Sequence, residues 1–440
     1  MPVLRSGPAT AWLARFMAVD SRISFSALGA RLRPPTVATL MAAALENPHV
    51  LSLAAGFTDT STLPLLEVGN AVRALAARSG LPEHLQYGSN LGRPRLRQLL
   101  AQRTGELDQL PGGAIDPAHT LIANGSQQIL HLAAEVLCDP GDIVLVEQPT
   151  YFVFLEILAG LGVRAIPLPS RANGSLDGPA IAARLAAIGA SGDRPRIKAL
   201  YMQGYFANPS GQSRTEGEKT ELARTLREAG LVIPVIEDAA YRDLWFDQPW
   251  PARSVLALEA WKDFPRLYLG TLTKPFASGL RVGYGHATEP TWFERIAWLK
   301  GHADFGTANF NQAVLEEIVA SGTLDAHLKA VRPAYGVKMR GLDAALREAG
   351  LPQRGWTWSA PAGGLTMWLR GPAGLDASVG GPLWRAAIQE GVLYVPGGLS
   401  LAEPESAASV RLSFGVLAGE ELREAAQRFA RAAAQVSARR

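Results

Sequence analysis

A chain of 440 residues, 48% hydrophobic and 19% charged, can bury more than one core, and that balance excludes intrinsic disorder. Its 43 basic and 40 acidic residues leave a formal charge of +3, scattered along the chain, which argues against nucleic acid as a partner. The single Cys138 excludes a disulfide framework, and no apolar run reaches the roughly 20 residues of a membrane span. The first residues, MPVLRSGPATAWLARFMAVD, are interrupted by Arg5, Arg15 and Asp20 and do not resemble a secretory signal, so a soluble cytoplasmic protein is expected. Cys138, in EVLCDPGD, reads as a buried small hydrophobe.

In chain order, PTVATLMAAALEN is expected to be helical after the stop RLRPP, and LSLAAGFTDTSTLP to be a loop. Helices are expected from about Leu65 to Arg78 and again after Asn90, in LGRPRLRQLLAQR. From about 118 to 290 short apolar runs follow one another: TLIAN, DIVLVEQ, RAIPL, IKALYMQ, VIPVIED, RLYLGTL and RVGYG. Helix-like stretches such as SQQILHLAAEVL and EGEKTELARTLREAG separate the earlier ones. The alternation predicts an α/β fold with a mostly parallel sheet covered by helices, plus an antiparallel member near 266–287. Long helices are expected to about Gly350, then an α+β unit with WTWSAPAGGLTMWL and SVRLSFG as strands and EELREAAQRFARAAAQ as the last helix. Domain boundaries are placed near 60 and 330, giving 1–60, 61–330 and 331–440.

Five segments carry candidate chemistry. In GTLTKPFASGLRVGY, Lys274 follows a strand and Arg281 stands seven positions on. Desolvation and nearby cations lower a lysine pKa and ready the amine for a carbonyl, while an arginine fork suits a phosphate, with Thr271 and Thr273 as hydroxyl donors. In NGSQQIL, Gly125, Ser126 and Gln127 open a helix, where free N–H groups and the dipole favour an anion. VIPVIEDAAYRDL ends a buried strand in Asp238, with Tyr241 three positions on. FANPSG offers Asn208 as a donor, and EQPTY offers the ring of Tyr151. Singly, these are more often a solvated lysine, an ordinary N-cap, an acid at a strand end, an Asn-Pro turn and a core aromatic.

Their shared order resembles the aminotransferase class I/II family of pyridoxal-phosphate enzymes, fold type I, from about residue 45 to 430. LQYGSNLGRPRLR, EQPTY, GGLTMWL, YVPGG and SVRLSFG look like its aminoadipate/kynurenine branch. The resemblance implies a large domain with a mostly parallel seven-stranded sheet and a smaller α+β domain from both chain ends. It implies pyridoxal 5′-phosphate on Lys274, Asp238 beside the pyridine nitrogen, Tyr241 and Asn208 at the ring's 3-oxygen, and Tyr151 over its face. Gly125, Ser126, Gln127, Thr271, Thr273 and Arg281 would hold the phosphate, with Tyr87 reaching it from the partner of a homodimer. Arg411 would grip the substrate α-carboxylate, with Gly56 and Asn208 nearby, and no metal is expected. The implied reaction is a ping-pong exchange between an amino acid and a 2-oxo acid, 2-oxoglutarate being the default acceptor.

The alternatives are another reaction of the same cofactor, such as elimination, oxidation or cyclisation, and the aminotransferase-like domain of a winged-helix regulator, for which only about 45 residues precede the core. Departures from the family's usual pattern are Ala207 in FANPSG, EDAAY at the acid, and Pro275, which favours an extended backbone at Lys274. Side-chain specificity stays open. Arg31 and Arg33 precede the early helix, which itself has no arginine; Phe57, Phe305 and Phe310 are possible walls, and Asn309 and Asn311 possible substrate contacts.

Overall fold

The computed structural model describes residues 23–38, 40, 43, 47, 49–403 and 407–437. Strand β1 (Leu51–Ser52) comes first, followed by the members of the main sheet: β2 (Thr120–Asn124), β3 (Ile143–Val146), β4 (Arg164–Pro167), β5 (Ile197–Gln203), β6 (Val235–Asp238), β7 (Arg266–Thr271) and β8 (Val282–Ala287). They form one seven-stranded sheet in the order β2-β8-β7-β6-β5-β3-β4. Neighbours from β7 to β4 pair in parallel, and β8 runs antiparallel to both β2 and β7. The 272–281 loop is too short for a helical crossover, so β8 has to return antiparallel.

Helices α1 (Leu65–Ala76) and α2 (Pro94–Leu107) precede the sheet, and α3 (Ser126–Leu137), α4 (Phe152–Leu161), α5 (Gly178–Ala190) and α6 (Glu216–Glu228) are its crossovers. Alternation along β3 shows why its run is apolar throughout. Val144 and Val146 enter a core with Ile129 and Leu130 of α3, whereas Ile143 and Leu145 enter a core with Leu185 of α5 and Leu222 of α6. The same alternation parts the acids that end β6. Glu237 pairs with the fully buried Lys219 of α6 at 2.6 Å, and Asp238 is left to the other face. A capping box between Thr215 and Glu218 starts α6.

Three long helices follow, α7 (Pro290–Asp304), α8 (Asn309–Ala320) and α9 (Thr323–Glu348). The chain ends in β9 (Thr366–Arg370), α10 (Pro382–Glu390), β10 (Val392–Leu393), β11 (Val395–Pro396), β12 (Ser409–Ser413) and α11 (Gly419–Ser437). Strands β11, β12 and β9 make an antiparallel sheet, and β1 pairs in parallel with β10, so residues just after 50 join the C-terminal unit. The expected strand over WTWSAPAGGLTMWL shrinks to β9 and isolated bridges at Thr357 and Gly363, because Pro361 lacks a donor and Gly364 takes φ +76°. In PTVATLMAAALEN, residues 36–38, 40 and 43 are helical, and the remainder of that expected helix lies outside the described residues. Cys138 caps α3, half-buried against its core, and burial pushes its thiol up to about 12. No helix among the described residues is long and apolar enough to cross a membrane.

Candidate active site

The carboxyl ends of β5, β6 and β7 and the start of β8 lie along one edge of the sheet, where open α/β sheets receive ligands. A cavity of about 670 Å³ opens there, within the roughly 300–1,000 Å³ of small-molecule sites. It brings together Gly56, Gly125, Ser126, Gln127, Tyr151, Asn208, Asp238, Tyr241, Thr271, Thr273, Lys274, Arg281 and Arg411. Tyr87 is absent from this wall; it stands 81% exposed with its ring edge-on to Phe305 at 5.6 Å.

One end of the cavity is built for an anion. Gly125 is the N-cap of α3 at φ +76°, and a Cβ there would lie 3.0 Å from Arg281 Nη2. The N–H groups of Ser126 and Gln127 open α3 ahead of its first internal hydrogen bonds, while Gln128 N–H turns back on the Gly125 carbonyl at 3.2 Å. Arg281 itself takes φ +55° and makes no ion pair among the described residues. Thr273 Oγ1 is buried without a partner. Thr271 plays a different part. Its hydroxyl donates to the Val282 carbonyl at 3.2 Å and accepts from Thr273 N–H at 3.0 Å, which commits its proton to bracing the loop.

Lys274 sits in a turn over residues 273–276 closed by Phe276 N–H on the Leu272 carbonyl, in place of the extended backbone expected before Pro275. The N–H groups that close the turn belong to Phe276 and Ala277, so the donor Pro275 lacks is not needed. Lys274 Nζ donates to the Gly56 carbonyl at 2.6 Å. Burial, then the charges of Arg411 and Arg281, bring its pKa down to about 8.

Asp238 is buried, and burial raises its pKa. Two donors oppose that shift, Ala240 N–H on Oδ1 at 3.0 Å and Tyr201 O–H on Oδ2 at 2.9 Å. Asn208 is held through its backbone by the Gln203 side chain, which donates to its carbonyl and accepts from its N–H, both at 2.9 Å. Asn208 Oδ1 accepts from Arg411 Nη1 at 3.2 Å, so Nδ2 is its donor, and its hydrogen bond to the Tyr241 hydroxyl works against the upward shift there. Burial pushes the Tyr241 hydroxyl up to about 12, so it stays protonated. Tyr151 O–H donates to Gln127 Oε1 at 3.2 Å, which fixes its ring at the cavity wall.

Arg411, on β12, is buried and reaches across from the C-terminal unit. Its Nη2 donates to the Ala54 carbonyl at 2.6 Å, while its Nε is buried with no partner. The residues missed from sequence are Tyr201, Gln203, Phe152, Leu40 and Val37. Gln203 alone carried a signal: like Asp238 it ends a buried run, and the two are register partners. Of the possible walls only Phe57 lines the cavity. Phe305 and Phe310 do not line it, Asn309 donates to the Glu83 and Gln86 carbonyls, and Asn311 donates to the Leu280 carbonyl. Arg31 is tied to the carbonyls of Gly160 and Leu161, and Arg33 to those of Ala30 and Leu32.

The sequence profile of the aminotransferase class I and II family matches residues 48–429. The 2-aminoadipate transaminase of Thermus thermophilus is 31% identical over 390 residues, covering 88% of this chain and 91% of the relative. The aromatic-amino-acid aminotransferase 1 of Thermococcus litoralis is 29% identical over 387 residues, covering 88% of each. In structure, the chain is similar to the kynurenine aminotransferase of Pyrococcus horikoshii in complex with PMP, at a TM-score of 0.85 and 27% identity over 96% of this chain and 99% of that one.

Proposed function

The chain belongs to the aminotransferase class I and II family and is a transaminase; from that premise we propose that its cavity holds pyridoxal 5′-phosphate on Lys274 and works by ping-pong exchange between an amino acid and a 2-oxo acid. The residues present fit such a group. The unpartnered Thr273 hydroxyl, the unpaired Arg281 and the N-terminus of α3 converge as a phosphate would require. Asp238, on β6 two strands from β8, offers a buried carboxylate for a protonated ring nitrogen. When bound, the cofactor supplies an aldehyde for the amino group and an electron-withdrawing ring.

The chain's own residues do the rest. Gly125, Ser126, Gln127, Thr273 and Arg281 bind the phosphate, with Thr271 bracing the loop. Asp238 holds the proton on the pyridine nitrogen, and Asn208 Nδ2 and Tyr241 donate to the ring's 3-oxygen. Tyr151 covers the ring face. Arg411 turns its free Nε and one Nη toward the substrate carboxylate, which fixes the Cα–H bond relative to Lys274. Lys274 Nζ, its amine readied by burial, takes the proton from substrate Cα. The observation that carries this reading is one cavity joining a lysine of lowered pKa to Arg281, Asp238 and Arg411.

We extend the reading to the assembly. Tyr87 would serve the partner's cavity in a homodimer, which the exposed Leu65, Leu66, Leu81, Leu85 and Phe305 support. Residues 61–330 would be the cofactor-bearing domain and 331–440 the second unit, with part of 1–60 joining the latter, as the pairing of Leu51 and Ser52 with β10 supports.

Borohydride reduction of the cofactor-loaded protein, followed by peptide mass spectrometry, should find the pyridoxyl group on Lys274 and none in Lys274→Ala. An amino donor alone should convert the bound cofactor stoichiometrically to pyridoxamine phosphate. Labelling elsewhere, or ammonia release with the cofactor unchanged, would overturn the assignment.

A further inference from the structure

The cavity is larger than its anion end and ring wall need, and its remaining wall is apolar. Leu40, Ala54, Phe57, Phe152 and Val153 form that part, with Val37 at the mouth. Leu40, Ala54 and Phe152 are also members of a small buried cluster with Leu393 and Val395, so apolar core backs the wall. The wall is contiguous with the proposed carboxylate anchor. The Arg411 guanidinium lies 5.6 Å from the Phe152 ring centroid, and its Nη2 is bound to the carbonyl of Ala54, another wall residue. A substrate whose α-carboxylate meets Arg411 therefore has its side chain within reach of Phe152 and Leu40.

Charges on the wall are few. Among the described residues its cations are Lys274, Arg281 and Arg411, and each has a role in the proposed transamination. Arg31 and Arg33, the nearest others along the chain, are committed to backbone carbonyls outside the cavity. Gln203 is engaged with both Asn208 backbone groups, Gln127 accepts from Tyr151 through its oxygen, and Asn208 has its place at the cofactor in the proposed transamination. A second substrate carboxylate would meet an apolar wall that carries, among the described residues, no cation beyond Lys274, Arg281 and Arg411.

We propose that the enzyme selects amino donors with uncharged, apolar side chains over dicarboxylic ones, with Leu40, Phe57 and Phe152 as the specificity-determining wall. The proposal rests on the transaminase reading of this cavity. Lost hydration without a new partner penalises the acidic donor, and burial of methylene and ring surface favours the apolar one.

Near-isosteric pairs isolate charge from size. The cofactor-loaded enzyme is mixed with leucine or aspartate, and with methionine or glutamate, and single-turnover conversion to pyridoxamine phosphate is followed by absorbance. The apolar member of each pair should be favoured in kcat/KM by about a hundredfold or more. A ratio below about tenfold in both pairs would overturn the proposal and leave transamination intact. Conversion with none of the four donors would instead count against the transaminase reading itself. A binding readout is independent of turnover: calorimetry should detect 4-methylpentanoate binding and much weaker glutarate binding. Leu40→Arg should narrow the methionine-to-glutamate ratio by about tenfold or more. Val37→Arg, at an exposed position on the mouth, should narrow it in the same direction and covers the case in which the buried variant does not fold. Unchanged ratios in folded variants would show that this wall does not set selectivity.

Discussion

At the scale of single residues, burial decides which protonation states are available. Lys274 loses its proton near pH 8 in place of the ordinary lysine value of 10.5, because burial and two cationic neighbours disfavour the ammonium. A lysine with a depressed pKa gains its free amine as pH rises through the lowered value. Capture of pyridoxal phosphate by the cofactor-free protein should therefore accelerate with pH and level off above about 8, as stopped-flow absorbance would show; a rate still climbing toward 10.5 would contradict this. Tyr201 is a positioning residue whose O–H supports the ionised form of Asp238. Tyr201→Phe removes that donor, so the Asp238 pKa, already raised by burial, should rise further. The acid limb of the kcat/KM profile should move to higher pH, with kcat down about tenfold, the equivalent of about 1.4 kcal/mol for a lost hydrogen bond to a charged group. A melting temperature that falls while the pH profile stays fixed would reduce Tyr201 to packing against Phe154, whose ring it meets at 4.4 Å. Lys274 and Asp238 stood out in the sequence because a charged residue at the end of an apolar run demands a reason, and Arg411 only through the family resemblance. Tyr201 was not, since a tyrosine inside IKALYMQ reads as core until its hydroxyl is seen on Asp238. Thr271 shows the converse limit, because residue type could not tell a ligand donor from a loop brace.

At the scale of elements, the anion end depends on how closely α3 approaches β8. Gly283 makes that contact possible: a Cβ there would lie 2.1 Å from Ser126 N and 2.3 Å from the Gly125 carbonyl carbon. Both are backbone atoms, so the N-terminus of α3 would have to move off the sheet edge. Gly283→Ala should cost about 1–3 kcal/mol in stability. It should also weaken pyridoxal phosphate binding by at least about tenfold, because the helix N–H groups lose their aim. Gly189→Ala is the control, since a Cβ at 189 would meet nothing within 4 Å. Equilibrium unfolding with and without cofactor separates the effects; an unchanged cofactor Kd in a destabilised Gly283→Ala protein would show that α3 is not the phosphate cradle. Elements of this kind were largely legible, because two-faced burial leaves continuous apolar runs and a short loop forces β8 to turn back. Close approach was not legible: nothing in RVGYG distinguishes Gly283, which touches a helix, from Gly285, whose Cβ would meet only Ile129, Leu267 and Leu269 side chains at 3.3 Å.

At the scale of the whole molecule, the proposed homodimer needs a face, and an exposed apolar one is present. Leu65, Leu66, Leu81 and Leu85 are each at least 69% exposed. They lie on α1 and the 81–87 segment, both of which pack on α8. Asn309 at the start of α8 holds the carbonyls of Glu83 and Gln86, so this loop is fixed in place and presents Tyr87 outward. A two-fold pairing over this face would bury the leucines and carry each Tyr87 toward the other chain's anion end. Sequence offered the tyrosine only by resemblance, because a lone tyrosine in LQYG carries no pattern that marks a role beyond its own chain. The arrangement is testable by hybrid dimers. Tyr87→Ala should bind pyridoxal phosphate weakly at both sites, and Lys274→Ala should form the lysine adduct at neither. In a hybrid, the protomer that keeps Lys274 receives an intact Tyr87 from the Lys274→Ala protomer. One site per hybrid should therefore regain wild-type cofactor affinity and turnover, giving about half the wild-type activity per purified hybrid. If Tyr87 acted within its own chain, the hybrid would keep only the weak site, and cofactor titration of tagged, purified hybrids distinguishes the two outcomes.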